Sequence, residues 1–153
     1  KRRLTVTGLV DNITIIDDYA HHPIEIKASI AAVKQMLQSK NKGNLIAVVQ
    51  PHRYSRVLDL FDDFASCFAD VDRLFVADIY AASEKPLEGI NKESLAEAVR
   101  KNGLKWVVPL ASWDELAKEV ENIVKEDDVI LFMGAGDITK YANEFPEKLK
   151  KIL

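Results

Sequence analysis

The sequence predicts an α/β domain of three layers, α/β/α and Rossmann-like, built on a mainly parallel sheet. Three observations lead there. Short β-rich runs alternate along the chain with amphipathic helical stretches, the pattern of consecutive βαβ units. One run, "NLIAVVQ" (44–50), is continuously apolar, as expected of a strand covered on both faces. The chain has no internal repeat, no low-complexity segment and no long linker. Right-handed crossovers then place helices on both faces of the sheet.

The elements follow in order. Residues 4–10 are a candidate edge strand, and "NITIID" (12–17) reads as the first core strand. "PIEIKASIAAVKQMLQSK" (23–40) reads as a helix, with Pro23 in its first turn and Ile26, Ile30, Val33 and Leu37 on one face. Gly43 in "NKGN" suits a C-terminal cap. After the strand 44–50, "SRVLDLFDDFASCFAD" (55–70) reads as one helix with Leu58, Phe61, Ala65 and Phe68 facing inward. "RLFVAD" (73–78) is a strand, followed by a loop from Ile79 to Ile90 and a helix over Lys92 to Asn102, ended by Gly103. "KWVVP" (105–109) is a short strand. "SWDELAKEVENIVKE" (112–126) opens with Ser112 and Glu115, a capping-box pattern. "DVILFMG" (128–134) is the last strand, and a C-terminal helix closes the chain.

The 153 residues fit one domain, long enough to bury a full core. A net charge of −3 and a pI near 5.7 give no general attraction to nucleic acid or anionic lipid. No apolar run approaches the ~20 residues of a membrane span. The start, "KRRLTVTGLV", lacks the apolar region of a signal peptide, and with Lys1 in place of a methionine the chain is expected to be a piece of a longer protein. The single cysteine, Cys67, fits a reducing compartment and reads as a buried, inert thiol.

Polar chemistry collects at one sheet edge. Ligands of open parallel sheets bind beyond the carboxyl ends of the strands. Those ends here are "DDYAHHP", "QPHRYSR", "DIYAASEKPLEG" and "GAGDI", and they hold His21, His22, His52, Arg53, Arg56 and three of the four tyrosines. The opposite edge carries bland turns such as "SKNKGN". Asp17 and Asp18 are open to two readings, a cap for the helix at Pro23 or part of a site. Arg53 and Arg56, three apart, either grip a carboxylate or phosphate together or stay solvated. "GAGD" offers backbone N–H groups to an anion at a helix start. The adjacent histidines lack the spacing and partners of a zinc site, so no metal ligand is assigned. No GxxxxGK[ST] phosphate loop is present.

Five segments in register, "DDYAHHPIEI", "QPHRYSR", "DLFDDFA", "DIYAASEKPLEGI" and "GAGDI", resemble the C-terminal domain of the Mur ligases, and within that family the branch that adds L-alanine to UDP-N-acetylmuramate. The opening "RRL" resembles the family's joining segment. The resemblance therefore implies that residues 1–10 end an interdomain segment or form an edge strand, and that 11–153 are the amino-acid-binding domain. It implies N-terminal and central domains elsewhere in the protein, ATP and Mg²⁺ as cofactors with the magnesium ligands mainly in the central domain, and a cytoplasmic place in peptidoglycan synthesis. In such enzymes ATP phosphorylates the lactyl carboxylate of UDP-N-acetylmuramate, and the amine of L-alanine attacks the acyl phosphate. Carried over by motif, Asp18 would accept hydrogen bonds from the ATP ribose and Arg3 would lie near the nucleotide phosphates. Tyr19, His21, Arg53 and Arg56 would build the alanine pocket, with His21 the catalytic candidate as base or positioner. His22 and His52 stand behind them. Two departures from the family pattern are Ser83, where glycine is expected, and Ile24, where threonine is usual. The competing readings are a murein peptide ligase of cell-wall recycling and a stand-alone nucleotide- or anion-binding module; a metal hydrolase lacks ligands.

Overall fold

The computed structural model describes residues 3–153. Six strands form one sheet in the order β1-β2-β6-β3-β4-β5. β1 (Thr5–Val10) runs antiparallel to β2 (Ile13–Asp18) at one edge. β2, β6 (Val129–Met133), β3 (Leu45–Val49), β4 (Arg73–Val76) and β5 (Val107–Pro109) are parallel. Register levels their ends: Asp18 pairs with Met133, Met133 with Val49, Val49 with Val76 and Val76 with Pro109. The residues just after this row therefore share one rim.

The central strands are apolar throughout because both faces are covered. Alternate residues point to opposite sides. Leu45, Ala47 and Val49 join α1 (Pro23–Lys40), α2 (Tyr54–Asp59), α3 (Phe61–Ser66) and α4 (Lys92–Lys101) in one core, around Ile30, Phe64 and Leu95. Ile46 and Val48 join α5 (Leu116–Glu121) and α6 (Ile138–Ile152) in the other, around Phe75, Phe132 and Phe145. Among the described residues no helix is long and apolar enough to cross a membrane.

α1 matches the predicted bounds, and Ile26, Ile30, Val33 and Leu37 are all buried. Its N-cap is His22, whose side chain accepts the Ile24 N–H while Glu25 reaches back to the His22 N–H. Its left-handed C-cap is Asn41 rather than Gly43. Gly43 instead allows a close approach of two backbone segments, since a Cβ there would sit 2.1 Å from the Asp127 carbonyl oxygen.

Two predicted helices are shorter. The stretch 55–70 breaks at Leu60 into α2 and α3. The break turns Val57 and Phe64 inward and leaves Leu58 exposed, where one continuous face through Leu58 was expected. Ser112 makes no side-chain cap; Trp113–Glu115 form a 3-10 turn into α5, with Trp113 stacked flat on Tyr141 at 4.4 Å. α5 ends at Glu121. Asp128 then accepts the Lys125 and Asn44 N–H groups, which holds the following turn against β3. Cys67 is buried, and that burial pushes its thiol up to about 12, so it stays inert.

Candidate functional site

Adjacent carboxylates at a strand end point to opposite faces. Asp17 therefore turns to the α6 side, where it accepts the Thr139 hydroxyl at 2.6 Å. Asp18 turns to the α1 side, where it accepts the Ser29 hydroxyl and, at 3.4 Å, the Ala20 N–H. Both are buried. Neither caps α1, because His22 does, so the capping reading of the pair falls. Arg3 lies over Asp18, Nε 3.6 Å from Oδ1, with its own side chain largely in solvent.

Beyond Asp18 the chain turns outward. Tyr19 is exposed, and its ring meets His21 edge-on at 5.0 Å. His21 Nδ1 lies 3.0 Å from the Tyr19 carbonyl and 3.5 Å from Glu25 Oε1. A carbonyl only accepts, so Nδ1 carries a proton, and in the neutral ring Nε2 is the acceptor nitrogen. His21 then meets His52 at 5.7 Å, and His52 stacks on Tyr80 at 5.5 Å. Four rings from three strand ends thus line up along the rim. His52 Nδ1 is buried and has no hydrogen-bond partner among the described residues. Burial, with the charges of His21, Arg56 and Arg53 behind it, pushes the His52 pKa below its ordinary value and favours the neutral ring.

Gln50, directly after β3, braces this rim. Its Nε2 donates to Asp137 at 2.7 Å and its Oε1 accepts the Ile138 N–H at 3.2 Å. A Cβ on Gly136 would fall 2.5 Å from the Tyr80 ring and 2.7 Å from Gln50 Oε1. The Gly-Ala-Gly turn is thus packed against the rim, with the Ile138 N–H bonded to Gln50 and the Gly134 N–H bonded to the Asp18 carbonyl. Arg53 follows at φ 73, a left-handed conformation, with its N–H donated to the Tyr80 carbonyl at 2.8 Å. Arg53 is the N-cap of α2, and Arg56 lies in that helix's first turn.

These pieces surround an open depression of about 590 Å³ lined by His21, His22, His52, Arg53, Ser55, Arg56, Asp59 and Leu60. Among the described residues no carboxylate pairs with Arg53 or Arg56. Of the residues singled out from sequence, His21, Arg53 and Arg56 line this depression, with His22 and His52. Tyr19 adjoins it through His21. Asp18 and Arg3 form a separate pair on the same rim. Two residues carried no assigned role in the sequence: Gln50, a polar residue ending an apolar strand, and Glu84, which binds Ser55 at the start of α2. Among the described residues no group of three or more His, Cys, Asp or Glu is placed to hold a metal ion.

The model of the Mur ligase glutamate ligase domain matches residues 2–136. The chain belongs to the Mur ligase family. A UDP-N-acetylmuramate–L-alanine ligase of Phenylobacterium zucineum is 45% identical over 152 residues, 99% of this chain and 31% of that relative. The murein peptide ligase of Psychrobacter arcticus superposes with a TM-score of 0.78 at 22% identity, over 100% of this chain and 31% of that one. The MurF ligase of Thermotoga maritima, solved with ADP, superposes with a TM-score of 0.63 at 18% identity, over 98% of this chain and 31% of that one. At those identities the two structures speak for the fold of this Mur ligase domain alone. The chain spans about a third of the length of the curated relatives it matches.

Proposed function

We infer that this Mur ligase domain is the amino-acid-binding part of an ATP-dependent UDP-N-acetylmuramate–L-alanine ligase acting in the cytoplasm on the route to peptidoglycan. The observation that carries the reading is that Arg53 and Arg56, neither in a salt bridge with a carboxylate of the described residues, line one depression together with His21. Alanine offers only a methyl besides its charged ends, so its recognition must be electrostatic. Arg53 and Arg56 suit its carboxylate, since each guanidinium presents two parallel donors. Its ammonium must lose a proton before it can attack an acyl phosphate. His21, protonated on Nδ1 against the Tyr19 carbonyl, has Nε2 available to accept that proton. Tyr19, edge-on to His21, holds the ring's orientation.

When bound, ATP would supply the phosphoryl group that activates the lactyl carboxylate. Asp18 and Arg3 are the residues of this chain proposed to meet the nucleotide. Asp18 is already engaged by Ser29 on Oδ2 and by Ala20 and Arg3 on Oδ1, so a ribose hydroxyl would share that carboxylate with them. Magnesium ligands are assigned to the other domains, together with the phosphate loop and the UDP-N-acetylmuramate site.

The test uses the full-length protein with ATP, Mg²⁺ and UDP-N-acetylmuramate. Amide formation with L-alanine is expected. Amide formation with the cell-wall tripeptide but not with alanine would replace this reading with that of a murein peptide ligase. The 153 residues alone are expected to make no amide, because the chain has no phosphate loop.

A further inference from the structure

The loop between β4 and α4 is fastened to the arginine-bearing segment at three points. The Tyr80 N–H donates to the Pro51 carbonyl, and the Arg53 N–H donates to the Tyr80 carbonyl, both at 2.8 Å. Further along, Glu84 accepts the Ser55 N–H at 3.0 Å on one carboxylate oxygen and the Ser55 hydroxyl on the other. A helix leaves its first N–H groups without internal partners, and a side chain at the N-cap usually answers them. Here the N-cap is Arg53, which makes no side-chain cap. Its φ of 73 is a conformation that a non-glycine residue holds only when its surroundings fix it. Glu84 supplies the missing cap from another loop. Its carboxylate also sets a negative charge beside a cationic cluster. The Ser55 hydroxyl first, then the Ser55 N–H, the Tyr54 N–H and the Arg53 charge hold its carboxyl below the usual range.

The loop is shaped to deliver this carboxylate. Ala82 and Ser83 are consecutive left-handed residues, and the Glu84 N–H closes their turn onto the Ala81 carbonyl at 3.0 Å. Both Glu84 oxygens are occupied by Ser55, so Glu84 acts through that residue rather than on a ligand.

The geometry points to Glu84 as a positioning residue for the arginine pair: through Ser55 it pins the start of α2 and so fixes where Arg53 and Arg56 present their guanidiniums. This rests on the reading of that pair as a seat for a substrate carboxylate. Fixing both groups before binding spares the cost of ordering two long side chains and a helix start.

The experiment compares Glu84→Ala, Glu84→Gln and Ser55→Ala in the full-length protein. Glu84→Ala is expected to raise the alanine KM about 10-fold, the loss of a charge-assisted bond, while kcat and the KM for the nucleotide sugar stay within about 2-fold. Glu84→Gln keeps one carbonyl acceptor and is expected to raise it about 3-fold. Adding Ser55→Ala to Glu84→Ala is expected to change little more, because the two act as one link. Hydrogen exchange in the 53–60 segment is expected to quicken in Glu84→Ala while the β3 and β6 amides stay protected. An unchanged alanine KM in Glu84→Ala, or unchanged exchange of the segment, would overturn the assignment. If the unaltered protein forms no amide with alanine, the functional reading fails instead; faster exchange would still support the hold of Glu84 on α2, and unchanged exchange would still refute it.

Discussion

The two rims of the sheet hold depressions of similar size, about 590 Å³ at the carboxyl ends of the strands and about 540 Å³ at the amino ends. Size does not separate the two rims; the state of the carboxylates and cations around them does. At the amino rim, Asp128 accepts the Asn44 and Lys125 N–H groups. Asp72 accepts the Leu45 N–H and pairs with Lys34 at 3.6 Å. Carboxylates there close the backbone. At the carboxyl rim two arginines line a shared space, and a buried imidazole nitrogen lacks a partner among the described residues. Polar groups that satisfy one another are architecture, whereas polar groups left waiting on a rigid frame mark a place for a ligand.

That contrast can be broken by substitution, and the largest effect is expected at the amino rim. Gly43→Ala drives a Cβ to 2.1 Å from a backbone oxygen at φ 94, so it should cost about 3 kcal/mol or more in denaturant unfolding. Gly103→Ala, left-handed at φ 113 but in open space, should cost about 1 kcal/mol. A similar loss in both would show that the Asp127 contact is soft.

Arg56→Ala should do the reverse. It should cost about 2–3 kcal/mol in kcat/KM for alanine, with unfolding changed by no more than about 0.5 kcal/mol. An unaltered alanine KM would remove Arg56 from the pocket. Asp128→Ala should cost about 1 kcal/mol of stability and leave alanine use untouched, since it removes the acceptor of two part-buried N–H groups far from the arginines. Ser83→Gly should stabilise by up to about 1 kcal/mol, because Ser83 sits at φ 74. That conformation also explains why glycine is expected at this position.

The smallest effect is in pH. The folded pKa of His52 is lowered, so between that value and the unfolded value of about 6.5 the unfolded chain binds more protons than the folded one. Stability from this group is complete above about pH 6.5, is lost as pH falls through the window and is level below it. His52→Gln should flatten that part of the profile, as read by thermal unfolding across pH 4–8. A slope that survives the substitution would place its source elsewhere.

Much of this was legible in the residues. α1 follows its 3.6-residue apolar period and keeps its predicted bounds, because Pro23, the capping and the inward face all agree. Core strands 44–50 and 128–134 differ from the observed β3 and β6 only at their ends. His21, Arg53 and Arg56 were legible as strand-end polar groups, and register brings their segments together. The stretch 55–70 misled because its apolar spacing fits a single helix, yet the chain bends at Leu60. Ser112 misled because a capping box is a local preference, while Trp113 stacks on a helix distant in sequence. Glu84 could not be read at all, since its partner lies 29 residues away.

What the residue order determined by itself was periodicity: which segments bury a face, and that chemistry gathers after the strands. Those features depend on near neighbours, so they are written in the chain. Only the tertiary structure decided which polar groups are spent and which are free. Asp17 and Asp18 look alike in sequence but turn to opposite helices, and Glu84 is tied to Ser55 while Arg56 is tied to no carboxylate among the described residues. Hydrogen-bond satisfaction is a property of groups brought together from distant parts of the chain, and it exists only once the sheet has set their distances.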